Sequence, residues 1–123
     1  MSIYFAYLAQ GDTLGAATEQ LVLRHNPGWT WAVHDGRHHA CVPDLVAAGF
    51  EHGSTFDVVL PVSFTHEGWR DRLRACNGVL TQAPETVAAF DAKLGRLLVE
   101  RYPEPVVSDH RLFGIVVEKP QMP

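Results

Sequence analysis

Six apolar or aromatic residues in a row, Ile3-Tyr4-Phe5-Ala6-Tyr7-Leu8, stand near the start of the chain and constrain it more than any other feature. A strand with one wet face alternates in polarity, whereas an unbroken apolar run suits a strand covered on both faces inside a sheet. Both hydrogen-bonding edges of such a strand need neighbours. Only two other segments read as strands. In the first, Phe56, Val58, Leu60, Val62 and Phe64 form an apolar face alternating with a mixed one, and Pro61 argues for a free or bulged edge. The second runs from Leu112 to Val117, with Gly114 as its weak point and Lys119-Pro120 as its end. With so few strands available, the sequence predicts that a partner chain, or a second copy exchanging strands, completes the sheet beside residues 3–8.

The helices have clear punctuation. Gly11-Asp12-Thr13 supplies a turn and an N-cap for a helix reaching Arg24, with Leu14, Ala17, Leu21 and Val22 on one face and Asn26-Pro27-Gly28 as its stop. A short helix is predicted from Pro43 to Ala48, ended by Gly49, and another from Glu67 to about Ala75. The longest, Pro84 to Arg101, carries the stripe Val87, Phe90, Leu94, Leu97 and Leu98, and Pro103 forbids its continuation. Between Trp29 and Cys41 all periodicity is lost, which reads as an irregular loop of functional length. Residues 1–123 are expected to form a single α/β domain without repeats or linkers.

Charge and composition narrow the function. A net charge of -4 lacks the basic footprint that phosphate backbones attract, so no nucleic acid partner is expected. No apolar run approaches the roughly 20 residues of a membrane span, and Met-Ser-Ile-Tyr-Phe lacks a basic leader, so the expectation is no membrane and a cytoplasmic location. Cys41 and Cys76, without CxxC spacing, read as reduced thiols.

A set of short matches spans nearly the whole chain: Glu19 to Leu23 with His25-Asn26-Pro27, Ala48-Gly49-Phe50, Thr65-His66-Glu67 with Trp69-Arg70, Arg72 and Arg74, then Gly78-Val79, Phe90-Asp91-Ala92 and His110-Arg111. In this order they resemble the C-terminal part of class I S-adenosylmethionine (SAM)-dependent methyltransferases of the type 11 kind. The resemblance implies the C-terminal half of a Rossmann-like sheet. Ile3 to Leu8 would be its fifth strand, Phe56 to Val62 its sixth, and Leu112 to Val117 its seventh, inserted antiparallel between the other two. The glycine-rich cofactor loop of that family has no counterpart; Gly11 and Gly15 read as a turn and a helix start. SAM is therefore expected through a separate N-terminal methyltransferase chain, with no cofactor and no metal held by this chain alone. The resemblance also implies a small-molecule acceptor above the strand ends, against Gln10 to Thr13, His25 to Ala40 and Thr65 to Arg70.

Methyl transfer demands proximity and alignment, with a general base only where the acceptor must lose a proton. His66 at a strand-to-helix turn is the candidate base, with Glu67 to orient it; the alternative, which needs nothing beyond local sequence, is that Thr65 or Ser63 caps the helix, Glu67 complements its dipole, and His66 is structural. Candidate substrate-binding residues are His25, Asn26, Trp29, Trp31, His38, Trp69 and Arg70. Arg70 and Arg74 share a helix face and have ion pairing with Glu67 and Asp71 as an alternative fate, while Trp69 floors a pocket or belongs to the core. His34 and His38 have zinc-like spacing only in a helix, which Asp35-Gly36 opposes. The leading expectation is the substrate-side subunit or fragment of a split methyltransferase. The alternatives are a noncatalytic module that completes a partner's sheet and a methyltransferase-derived cyclase-type enzyme without methyl transfer.

Overall fold

The computed structural model describes residues 1–29, 37 and 41–120, and only the backbone of Ser2 and His52. In chain order the elements are β1 (Ser2–Tyr7), α1 (Leu14–His25), α2 (Val42–Ala47), β2 (Glu51–Phe64), α3 (His66–Arg74), α4 (Asn77–Leu80), α5 (Pro84–Arg101) and β3 (Val106–Glu118). The fold is mixed α/β. One sheet has the order β1-β3-β2, with β3 antiparallel to both neighbours, so β1 and β2 run the same way.

The register sorts the side chains. Ile3, Gly114 and Phe56 share a row across the sheet, followed by Phe5, Leu112 and Val58, then Tyr7, His110 and Leu60, then Ser108 with Val62 and Val106 with Phe64. This face carries the helices. Trp69 and Leu73 of α3, Leu14, Leu21 and Val22 of α1, and Phe90, Leu94 and Leu98 of α5 meet Tyr7 and Val106 in one buried core. Each fully buried Leu or Phe contributes on the order of 2–3 kcal/mol. On the opposite face, Phe113 and Ile115 are also buried.

The local chemistry explains the helix boundaries. Thr13 caps α1 by accepting the Ala16 N–H at 3.2 Å, and Thr65 caps α3 by accepting the Gly68 N–H at 2.9 Å. Gly15 is required by packing: a Cβ there would stand 2.0 Å from the Leu8 carbonyl oxygen, so only glycine lets α1 lie against the end of β1. A Cβ on Gly114 would likewise meet the Phe56 ring at 2.1 Å, so the expected weak point of β3 is where that ring folds over the strand.

Three expectations are corrected. Apart from its pairing with β3, β1 has no neighbour among the described residues, and it is not covered on both faces: Ile3 is 53% and Phe5 47% exposed. The helices reach only the Tyr7 end of the strand. β2 and β3 begin at Glu51 and Val106, well before Phe56 and Leu112, because long antiparallel pairing holds even their polar residues in the ladder. Finally, α4 was not anticipated; four residues are too few for a periodic signal.

Trp69 is fully buried, so Trp69→Ala is expected to cost about 3–5 kcal/mol. Urea unfolding measures it, and a loss below about 1 kcal/mol would contradict this core assignment.

Candidate functional site

The start of α3 is held by several bonds. The His66 N–H donates to Glu104 Oε1 at 2.6 Å, and His66 Nε2 lies 2.6 Å from the Tyr102 carbonyl oxygen. A carbonyl only accepts, so Nε2 carries the proton and Nδ1 is the basic nitrogen, 3.9 Å from Glu104 Oε1. Glu67 does not orient this ring. Its carboxylate takes Arg70 Nη1 at 3.3 Å and Arg74 Nη1 at 2.9 Å, because the next turn of the same helix presents those cations.

Arg70 is also committed. Its Nη2 meets Asp91 Oδ2 at 2.5 Å and its Nε meets Oδ1 at 3.1 Å, a two-point grip from α3 onto α5, while Arg74 Nη2 reaches the same carboxylate at 3.0 Å. The Arg70 hydrogen bonds hold the Asp91 carboxyl below the usual carboxylate range. Ion pairing of Arg70 and Arg74 on one face was legible in the sequence, but Asp91 as their shared partner was not.

The other predicted residues are scattered. His25 Nδ1–H donates to the Leu21 carbonyl at 2.9 Å and its ring stands edge-on to Phe90. Asn26 Nδ2 donates to the Gly78 carbonyl at 3.1 Å, and Trp29 lies so close that a Cβ on Gly78 would meet its ring at 2.9 Å. Asn26 and Trp29 hold α4 against the end of α1 while His25 meets α5, and no room for a water remains between Val22, His25, Gly78 and Phe90. Trp69 is core, its Nε1–H donating to Thr18 Oγ1 at 3.2 Å. Trp31 and His38, with the loop's other histidines, lie outside the described residues; among the described residues no cluster of three metal-ligating side chains exists.

A buried polar group under the sheet escaped sequence reading. His110, fully buried, stacks on Phe5 at 4.7 Å and is flanked by Phe64, Tyr7 and Trp69. Its Nδ1–H donates to the Ser108 carbonyl at 3.0 Å, burial pushes its imidazole below the ordinary value, and Nε2 is without a partner, as is Ser108 Oγ. Beside it the Tyr7 hydroxyl donates to Glu19 Oε1, while Glu19 Oε2 is buried and unpartnered. Burial pushes this carboxyl from 4.5 up to about 7. Only the alternation of Val106, Ser108, His110 and Leu112 could have announced His110 as inward-facing; nothing local links Tyr7 to Glu19.

Of the segments expected near a substrate, Gln10 to Thr13 borders a cleft of about 300 Å³ at the carboxyl end of β1. Gln10, Thr13, Gly15, Ser108 and Asp109 are among its walls. The amides of Leu14 and Gly15, in the first turn of α1, have no intrahelical partner there. Such a place, outside a strand's carboxyl end and before a helix start, is where open α/β sheets take ligands.

Comparison with known proteins finds no match: no family model, curated protein or solved structure is significantly similar to this chain. Function rests on geometry. Among the described residues no helix is long and apolar enough to cross a membrane.

Two outcomes test these assignments. Asp91→Asn should lower stability by roughly 1 kcal/mol at neutral pH, a partly exposed pair being screened, and in the wild type that contribution should begin to fall only as pH drops below the ordinary value of 3.8 and disappear below the depressed folded-state value. Glu19 has the opposite sign: its folded-state pKa is raised, so its cost is absent below pH 4.5 and grows as pH rises through 7. Glu19→Gln should flatten stability between pH 5 and 8 and gain about 1 kcal/mol at pH 8 in urea titrations; an unchanged pH slope would refute this account of Glu19.

Proposed function

We propose that this chain is the acceptor-side part of a SAM-dependent methyltransferase whose cofactor-binding part is a separate polypeptide that extends the sheet past β1. The observation that carries the reading is the edge of β1 that no described residue pairs, in a sheet of order β1-β3-β2. The Leu8 N–H bonds to the Asp109 carbonyl at 2.8 Å, so Leu8, Ala6 and Tyr4 turn their backbone groups towards β3, and Ile3, Phe5 and Tyr7 turn theirs outward. The opposite edge of the sheet is blunted by Pro61, Asp57 and a bulge between His52 and Ser54, whereas β1 carries no charge, proline or bulge.

The faces support the same reading. Ile3, Phe5, Phe56, Val58 and Leu60, all on the helix-bearing face, are 40–53% exposed, a joined apolar area of the kind that marks an interaction surface. A partner strand beside β1 with its own helix would cover both this area and the outward amides. The small-molecule acceptor would then sit in the cleft at Gln10, Thr13 and Asp109, with SAM delivered from the partner's side. Alignment is the main requirement of this displacement; His66 enters it as a base only through Nδ1.

A second reading, a noncatalytic module that completes a partner's sheet, is favoured by one specific observation: His66, Glu67 and Arg70 are all bonded within the fold. In the reconstituted pair, His66→Asn and Asp109→Ala leave methyl transfer intact under this reading, and Asp109→Ala lowers it at least about tenfold under the first.

The pairing itself has a sharp test. Phe5→Pro removes an outward N–H without touching the β3 ladder, so the chain should stay folded by circular dichroism yet lose the partner chain in native mass spectrometry. SAM titration by calorimetry should show binding to the pair and none to the chain alone. A folded monomer that binds SAM, or a complex that survives Phe5→Pro, defeats the proposal.

A further inference from the structure

α1 and α5 pack antiparallel. Asp12, just before α1, meets Arg101 at the end of α5 at 3.7 Å, and His25 at the end of α1 meets Phe90 near the start of α5. Between their outer faces runs an open trough of about 410 Å³. Its floor is Ala17, Leu21 and Leu97, and its rim carries Arg24, Lys93, Arg96 and Arg101 against a single carboxylate, Glu100. The lining residues of each helix recur at i, i+3, i+4 and i+7, so the trough follows both axes for about two turns, roughly 10 Å.

The charge is unusual for this molecule. The chain carries -4 overall, and its described arginines other than Arg24 and Arg96 are engaged: Arg70 and Arg74 by Asp91, Arg37 and Arg111 by Asp57, Arg101 by Asp12, and Arg72 over the Tyr7 ring at 5.5 Å. Arg24, Lys93 and Arg96 form no ion pair among the described residues. Exposed cations thus gather along one apolar-floored groove. Its openness tells against a small molecule, since such ligands bury most of their surface in a concave pocket. The cations are also strung along the groove, Arg101 at one end and Arg24 and Lys93 towards the other, which suits a row of carboxylates better than one phosphate.

We propose that the α1–α5 groove docks an acidic amphipathic helix of a partner protein, its apolar stripe over Ala17 and Leu97 and its carboxylates on Arg24, Lys93 and Arg96. This is the helix-in-groove mode with charge complementarity added, on a surface apart from β1 and independent of the methyltransferase reading.

The probe is a synthetic peptide of about four helical turns, leucines at i, i+4 and i+7 flanked by glutamates, titrated into the full chain by fluorescence anisotropy, with a reordered peptide of identical composition as control. Saturable binding is expected, weakened at least about tenfold by the Lys93→Glu and Arg96→Glu pair, similarly by Arg24→Glu, and by raising salt from roughly 0.05 to 0.5 M. Circular dichroism confirms that the variants fold. Absence of saturable binding, equal binding of the reordered peptide, unchanged affinity in both sets of folded variants, or displacement of the peptide by inorganic pyrophosphate overturns the proposal. So does concentration-dependent self-association of the chain through this groove that excludes the peptide.

Discussion

Trp69 is the contact on which the other elements depend. Its ring stands edge-on to Tyr7 of β1 at 5.3 Å, to Phe64 of β2 at 5.1 Å and to His110 of β3 at 6.3 Å, and its indole N–H donates to Thr18 of α1. One side chain on α3 therefore touches all three strands and a second helix while exposing none of its surface. Edge-to-face pairs of this kind add about 0.5–1.5 kcal/mol each beyond burial. The Arg70 and Arg74 grip on Asp91 then sets α5 against α3, and Asn26 with Trp29 sets α4 against α1.

Covering the sheet from this hub leaves it unevenly covered. The rows of Tyr7, His110 and Val106 lie under helices, while the rows of Ile3 and Phe5 extend beyond them, so the apolar end of the face adjoins the edge of β1 that no described residue pairs. The same geometry buries a price in polar groups: Glu19 and His110 sit where their charged forms are disfavoured, and each keeps one atom without a hydrogen bond.

Much of the architecture was legible in local pattern. Pro84 and Pro103 bracket α5, Thr13 and Thr65 cap the helices they precede, and the alternation from Phe56 to Phe64 points the right residues at the helices. The candidate site was much less legible. His66, Glu67, Arg70, His25 and Asn26 are residue types that serve chemistry and scaffolding alike, and Tyr102, Asp91 and Gly78, which hold His66, Arg70 and Asn26, are far away in sequence. The six-residue run of β1 misled in one respect, since apolar character along a strand states what could be covered, not what is.

The sequence by itself determined α1, α2, α3 and α5 to within a residue or two, the middle of each strand, and the apolar stripes of α1 and α5, because caps, prolines and side-chain periodicity act within a few residues. Only the tertiary structure decided that Asp91 gathers two arginines, that Tyr7 bonds Glu19 and stands beside the buried His110, that Arg24, Lys93 and Arg96 line one groove, and that no other described strand pairs with the outer edge of β1. Those features arise from packing across long sequence separations, where burial and charge depend on neighbours that no local pattern names.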